Sequence, residues 1–250
     1  MISMEMIEII IPAILIGVFI SFTHGLFGIK ILKRGIVFID LAIAQIAGLG
    51  LIIANMIFPE HQWSYQFIAL FFAISSSLFF YYIEKIAPDI QEAIIGCSFI
   101  FAASLSILFL ANHAHGGDEI KHLLSGQILF VTMTEVILHA PIYIIITIIW
   151  FVKPNFRSGI GFYLCFAILI TSSVQLVGVY VVFASLILPA ICARNHKSPI
   201  IAAWLCGIAA VIMGMIFSII LDLPSGPLLV VSYVLTATII TFYTSNTKHL

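Results

Sequence analysis

Long apolar runs separated by short polar punctuation define this chain from end to end. The runs lie near 7–29, 35–57, 66–83, 92–111, 126–152, 160–174, 177–191, 200–221 and 228–243. A helix crossing a bilayer needs about 20 apolar residues, and somewhat fewer suffice where the bilayer thins. In hydrocarbon every backbone polar group must be satisfied within the segment, so such runs read as membrane-spanning α-helices. The predicted fold is all-α: a polytopic membrane protein of about nine (eight to nine) transmembrane helices, forming one domain over residues 1–250.

One run leaves the count open. From Ile160 to Ile191 no charge occurs, and the stretch is long for one helix and short for two. Ser172, Ser173, Gln175 and Gly178 lie at its middle, and small polar residues beside glycine make plausible turn material. Charge favours the turn, because cytoplasmic loops are enriched in Lys and Arg. If the chain reverses near Ser173–Gly178, Lys30, Lys33, Arg34, Lys85, Lys153, Arg157, Arg194, Lys197 and Lys248 all fall inside, and Lys121 alone falls outside. A single crossing would move Arg194 and Lys197 out and flip the tail. The expected topology therefore has nine crossings, with the N-terminus outside and the C-terminus cytoplasmic. Its outer loops are 58–65, 112–125, a turn at 173–177, and 222–227.

Composition then narrows the function. The chain is 62% hydrophobic and 8% charged, against roughly 25% charged in soluble domains, and its mean hydropathy is +1.22. A soluble enzyme, a DNA-binding protein and a disordered chain are excluded. No Lys/Arg run exceeds two residues, so no nucleic-acid partner is expected. Cys97, Cys165, Cys192 and Cys206 lie in or beside apolar runs without CxxC spacing and read as packing residues. The opening MISMEMIEIIIP has no basic n-region, so the first run is expected to stay as a span. No GxxxxGK[ST] phosphate loop occurs; if ATP is used, a partner hydrolyses it.

With so few charges, each buried one needs a reason. Asp40 lies a few residues inside the second run, and a carboxylate at mid-helix depth costs about 2.5–3.5 kcal/mol on insertion scales. Helical geometry puts Asp40 on one face with Ala44, Ala47 and Gly48. It is either a translocation-path residue or an interfacial acid that snorkels or pairs with Lys33 or Arg34. Gln45 is about 140° away on a regular helix and reads as an interhelical hydrogen-bonding residue rather than a ligand. Glu92 opens the fourth run and shares a face with Gly96 and Ala103; helix-dipole capping and a path role are both open. The segment NHAHGGDEIKH carries His113, His115, Asp118, Glu119 and His122, donors that suit borderline divalent ions. A helix starting at Asp118 would present Asp118, Glu119 and His122 together; the alternative is a solvated turn hinged at Gly116–Gly117. His24 and His139 are expected to make local hydrogen bonds only.

Four segments resemble a known family in order and spacing. GIKILKRGIVFIDLAIAQIAGLG is similar to the basic-turn-plus-Asp segment of the permease subunits of zinc/manganese/iron ABC importers. DIQEAIIG resembles that family's acidic element, with Glu92 in the matching place. SVQLVGVYVVFASLILPAICAR resembles its Val-Val-Gly…Pro-Ala…Ala-Arg signature through Val177, Gly178, Pro189, Ala190, Ala193 and Arg194. LDLPSGP matches its Asp-x-Pro-x-Gly-Pro element.

The resemblance implies a type II importer permease bundle in the bacterial inner membrane. It implies a homodimer that receives a divalent metal ion from an extracytoplasmic metal-binding protein and docks cytoplasmic ATP-binding subunits. The metal is cargo, with no tightly bound cofactor and no catalysis by this chain. Asp40 is carried over as an ion-path residue, and ICARNHKSP as the helix coupling ATP hydrolysis to the bundle through Arg194, Asn195, His196 and Lys197. One departure stands out. Ile39 replaces the family's Gly, and Ala44 stands where its His belongs, followed by Gln45. Glu92 or the His-rich outer segment would then complete the ion contacts, and oxygen ligands would suit manganese as well as zinc. Alternatives are a permease of the same architecture for an iron chelate or vitamin, and a self-contained secondary carrier or channel. An intramembrane hydrolase is remote, since there is no HExxH and no Ser/His pair at helical spacing deep in a span.

Overall fold

The structure, a computed structural model, describes residues 4–58, 62–111, 116–126 and 128–246. Within these, the side chains of 4–7, 62–64, 118–120, 122, 243, 245 and 246 are not described. The described residues form ten α-helices: α1 (Met4–Arg34), α2 (Ile39–Ile57), α3 (Gln62–Ile86), α4 (Gln91–Leu110), α5 (Gly116–Ser125), α6 (Met133–Val152), α7 (Gly159–Val177), α8 (Val179–Ala193), α9 (Pro199–Leu221) and α10 (Ser225–Asn246). Short 3-10 turns precede α4, α6 and α7, and no strand occurs among the described residues. Eight helices are long and apolar enough to cross a membrane, and α8 is a shorter apolar ninth. Both ends of the expected count are thus accounted for: eight full-length spans, and one short helix completing nine.

Helix pairing shows which ends lie together. Gly17 meets Val211, and Gly25 meets Trp204, so α1 and α9 run antiparallel in close contact. The Trp204 indole N–H donates to the Phe22 carbonyl at 2.9 Å and fixes their register. Gly214 meets Leu229, and Cys206 packs with Ala237, so α9 and α10 are antiparallel too. The end of α1, the start of α9 and the end of α10 therefore share one end of the bundle. Arg34 binds there: its guanidinium is 3.6 Å from Glu84 at the end of α3, lies over the Phe162 ring, and reaches the Arg157 carbonyl. This basic end gathers the turns that carry Lys33, Arg34, Lys85, Arg157, Arg194 and Lys197.

Three boundaries differ from the sequence reading. The turn expected at 173–177 is helical, and the chain breaks only at Gly178, which caps α7 through its N–H and opens α8 through its carbonyl. Gly178 has φ 79° and ψ 164°, a region essentially reserved for glycine, so the break falls where the residue permits it. The run 126–152 does not form one helix. α6 starts at Met133, because Thr132 and Glu135 form a capping box: the Thr132 hydroxyl accepts from the Glu135 N–H, and Glu135 accepts from the Thr132 N–H at 2.8 Å. Within the loop expected at 112–125, the described residues form α5, which packs into the bundle by setting Leu123 against Gly48 and Gly116 against the Leu110 carbonyl.

Candidate functional site

Asp40 is the second residue of α2, and it is fully buried. Neither basic residue of the preceding turn pairs with it here: Arg34 pairs with Glu84, Lys33 is exposed, and no side chain partners either Asp40 oxygen. Ala44, Ala47 and Gly48 on the same face are buried as well. Fully buried Ala44 brings no donor to this face.

Glu92 reaches the same place from α4. Its Oε1 accepts the backbone N–H of Phe38 at 3.0 Å, so it caps α2 across the gap between helices. The capping role is therefore real but lies on a neighbouring helix. Glu92 Oε2 is buried and unpartnered, and the Glu92 charge acts on Asp40 electrostatically. Two carboxylates thus converge on the N-terminal turn of α2, where the helix dipole stabilises negative charge by about 0.3–1 kcal/mol each. That term does not offset the several kcal/mol that a buried, unpaired carboxylate costs.

Gln45 turns to α4 and donates to the Ser106 hydroxyl at 3.5 Å, leaving its own Oε1 buried and unpartnered. His113 and His115 lie outside the described residues. Asp118, Glu119 and His122 fall within α5, and their side chains are likewise outside the description. Among the described residues no group of three or more His, Cys, Asp or Glu is placed to hold a metal. The outer cluster expected from NHAHGGDEIKH therefore rests on the sequence alone.

At the basic end, ICARNHKSP does not form a separate helix. α8 continues through Pro189 to Ala193, residues 194–198 make a turn, and α9 starts at Pro199. Arg194, Asn195 and Lys197 are exposed in that turn, and His196 is half-buried. Proline at the first position of α9 and Ser198 before it stop the helix from running on.

Sequence spacing missed one buried network. His24 Nδ1 lies 2.6 Å from the Ser185 hydroxyl, and its Nε2 lies 3.0 Å from Ser173. Ser173 also meets the Tyr143 hydroxyl at 3.0 Å, and Ser172 meets His139 Nδ1 at 2.7 Å. The bonds expected to be local instead tie α1, α6, α7 and α8 together. Such contacts carry no local signal, because the partners are far apart in sequence. A Ser/His contact thus exists in the bundle, but His24 and Ser173 are 0% exposed and Ser185 1%, so no water or substrate reaches it. It is a structural tie between helices and gives no support to a hydrolase.

The chain matches the family described as ABC 3 transport family in two stretches, residues 6–158 and 157–244. It is 27% identical over 237 residues to the manganese transport system membrane protein MntC of Halalkalibacterium halodurans, covering 86% of this chain and 78% of that one. Its fold is similar to that of a chain in the structure of PsaBC from Streptococcus pneumoniae in complex with Fab. The TM-score is 0.72 at 20% identity, and the match covers 93% of this chain and 91% of the other.

Proposed function

The chain belongs to the ABC 3 transport family, and from that membership we propose that it is the membrane-spanning subunit of an ATP-driven importer for a divalent transition-metal ion, with manganese, zinc and iron as candidates. The observation that carries the reading is the acid pair at the N-terminal turn of α2: Asp40, fully buried without a hydrogen bond, and Glu92 beside it with one free buried oxygen. An iron chelate or vitamin would bring a large organic surface and would not need intramembrane acids. The manganese system named for the H. halodurans relative supports a free ion as cargo.

Mechanistically, Asp40 and Glu92 offer transient oxygen ligation close to the basic end, which the charge rule places in the cytoplasm. Ligation must be weak enough for release, and two acids without an imidazole provide that. A second copy of the chain would complete a central path. The exposed turn Arg194–Ser198, which joins α8 to α9, would meet an ATP-binding subunit. ATP binding there would shift the dimer between outward- and inward-facing states. An extracytoplasmic metal-binding protein would deliver the ion at the opposite end, where α5 lies. The protein itself would catalyse no reaction.

The test is uptake. Cells whose metal importer is replaced by this permease with its ATPase should accumulate manganese, zinc or iron, read by elemental analysis. An ATPase variant unable to hydrolyse ATP should abolish that accumulation. Uptake that persists with the dead ATPase would establish a secondary carrier instead. For the coupling turn, Arg194→Glu should reduce co-purification of the ATP-binding subunit by about tenfold or more, the scale for a reversed charge at an interface. Undiminished assembly and uptake would remove Arg194 from the contact.

A further inference from the structure

A cavity of about 500 Å³ opens at the end of the bundle opposite the basic turns. Its polar lining comes from helix ends that meet there: Asn55 near the end of α2, Tyr65 near the start of α3, Glu135 in the first turn of α6 and Gln175 near the end of α7. Among the described residues no Lys or Arg lines it. Glu135 brings a carboxylate to the cavity and is exposed. The Tyr65 hydroxyl donates to Asn55 Oδ1 at 3.3 Å, which orients the amide.

The floor of this cavity is Gly48, on the same face of α2 as Asp40 and eight residues further along. At 1.5 Å per residue the two are about 12 Å apart along the axis. Leu123 of α5 also lines the cavity and packs on Gly48, where an added Cβ would meet the leucine's methyl groups at 2.6 and 3.0 Å. An apolar side chain thus covers α2 at the inner wall of the chamber, on the helix face that carries Asp40.

We propose that this chamber is a holding site for a hydrated divalent cation. Glu135 is its charged anchor, Asn55 and Gln175 hydrogen-bond the water shell, and Leu123 covers α2 at its inner wall. The proposal rests on the metal-ion reading above. The size fits: a divalent ion with six waters occupies about 180 Å³ at roughly 30 Å³ per water, well within the cavity. The donors fit too, since carboxylate and amide oxygens suit hydrated, hard cations and contact them through water. Bare passage past Leu123 would require the shell to be shed, so holding and dehydration fall at successive places along one helix face.

The experiment uses the intact importer in cells and measures initial uptake of radiolabelled manganese against concentration. Glu135 also caps α6, so the variant must remove charge and keep the cap. Glu135→Gln does so, because Gln serves the capping box as well as Glu. Thr132→Val does the reverse: it loses the hydroxyl that accepts from the Glu135 N–H and donates to the Glu135 carboxylate, and keeps the carboxylate itself. Glu135→Gln should raise KM for manganese about fivefold, the effect of removing one water-screened charge from a divalent ion, with Vmax unchanged. The increment should shrink at high ionic strength. Thr132→Val should leave KM unchanged. An unchanged KM in Glu135→Gln, or an equal rise in Thr132→Val, would overturn the holding site while leaving the importer reading intact. Absence of manganese, zinc and iron uptake by the wild-type importer would overturn the importer reading itself, and the holding site with it.

Discussion

Asp40→Ala should abolish metal accumulation while the amount and thermal stability of the membrane protein stay level or rise. The two halves of this expectation have one cause. Asp40 has no side-chain hydrogen-bond partner and no ion pair among the described residues, so its removal breaks no tie between helices. Its burial carries a desolvation cost of several kcal/mol, against at most about 1 kcal/mol of favourable helix-dipole interaction. On the proposed metal-ion reading, that cost is offset when a cation meets the acid during transport. Loss of a direct ligand should lower uptake at least about tenfold, since even residues that merely orient metal ligands cost 10–100-fold when removed. Asp40→Asn separates charge from oxygen count: it retains one carbonyl donor and should leave a trace of uptake that Ala does not. Normal accumulation in Asp40→Ala, measured at equal membrane level, would remove Asp40 from the mechanism. A Tm drop of several degrees would show instead that the acid is structural.

What the sequence revealed follows from the range of the interactions involved. Membrane spans are specified by local composition, so the apolar runs and the residues between them map onto α1–α4 and α6–α10. The basic turns were legible for the same reason, and the antiparallel pairing of α1 with α9 gathers Arg34 and Arg194 at one end. α5 was half legible: a helix from Asp118 was one of the two readings of the segment, but its entry into the bundle depends on Leu123 finding Gly48 across the fold. The start of α6 was legible in principle: Thr132-x-x-Glu135 is a capping box, masked by the apolar residues on both sides. Glu92 could be placed at a helix start, but nothing in DIQEAIIG says that it accepts from Phe38 of a different helix. The tie from His24 to Ser173 and Ser185 has the same character. Local rules found the acids; only the packing of α2 against α4 shows that they share one place.

Gly178 is where the local and long-range demands coincide, and Gly178→Ala is expected to be among the most damaging small substitutions in the protein. The backbone there, at φ 79° and ψ 164°, costs a residue with a Cβ about 1–3 kcal/mol. The added carbon would also overlap the backbone of Gly126, which itself has φ 57° and lies against Val177 and Gly178. The clash is backbone against backbone, so no side chain can swing away. Relief requires either that α7 and α8 straighten toward one continuous helix, or that the end of α5 moves off. Straightening would misplace Ser173 and Ser185, which bind the same histidine from α7 and α8. Displacing α5 would lift Leu123 from Gly48. Gly35→Ala is the control: Gly35 has φ 73°, but no atom would meet its Cβ within 4 Å. It should suffer backbone strain alone. At 2–4 °C per kcal/mol for a chain of this length, Gly35→Ala should lower Tm in detergent by a few degrees. Gly178→Ala should lose more than twice as much or fail to give a monodisperse protein. Equal stability of the two variants would show that the contact between α5 and the α7–α8 break yields readily, and would remove Gly178 as the fixed point of the fold.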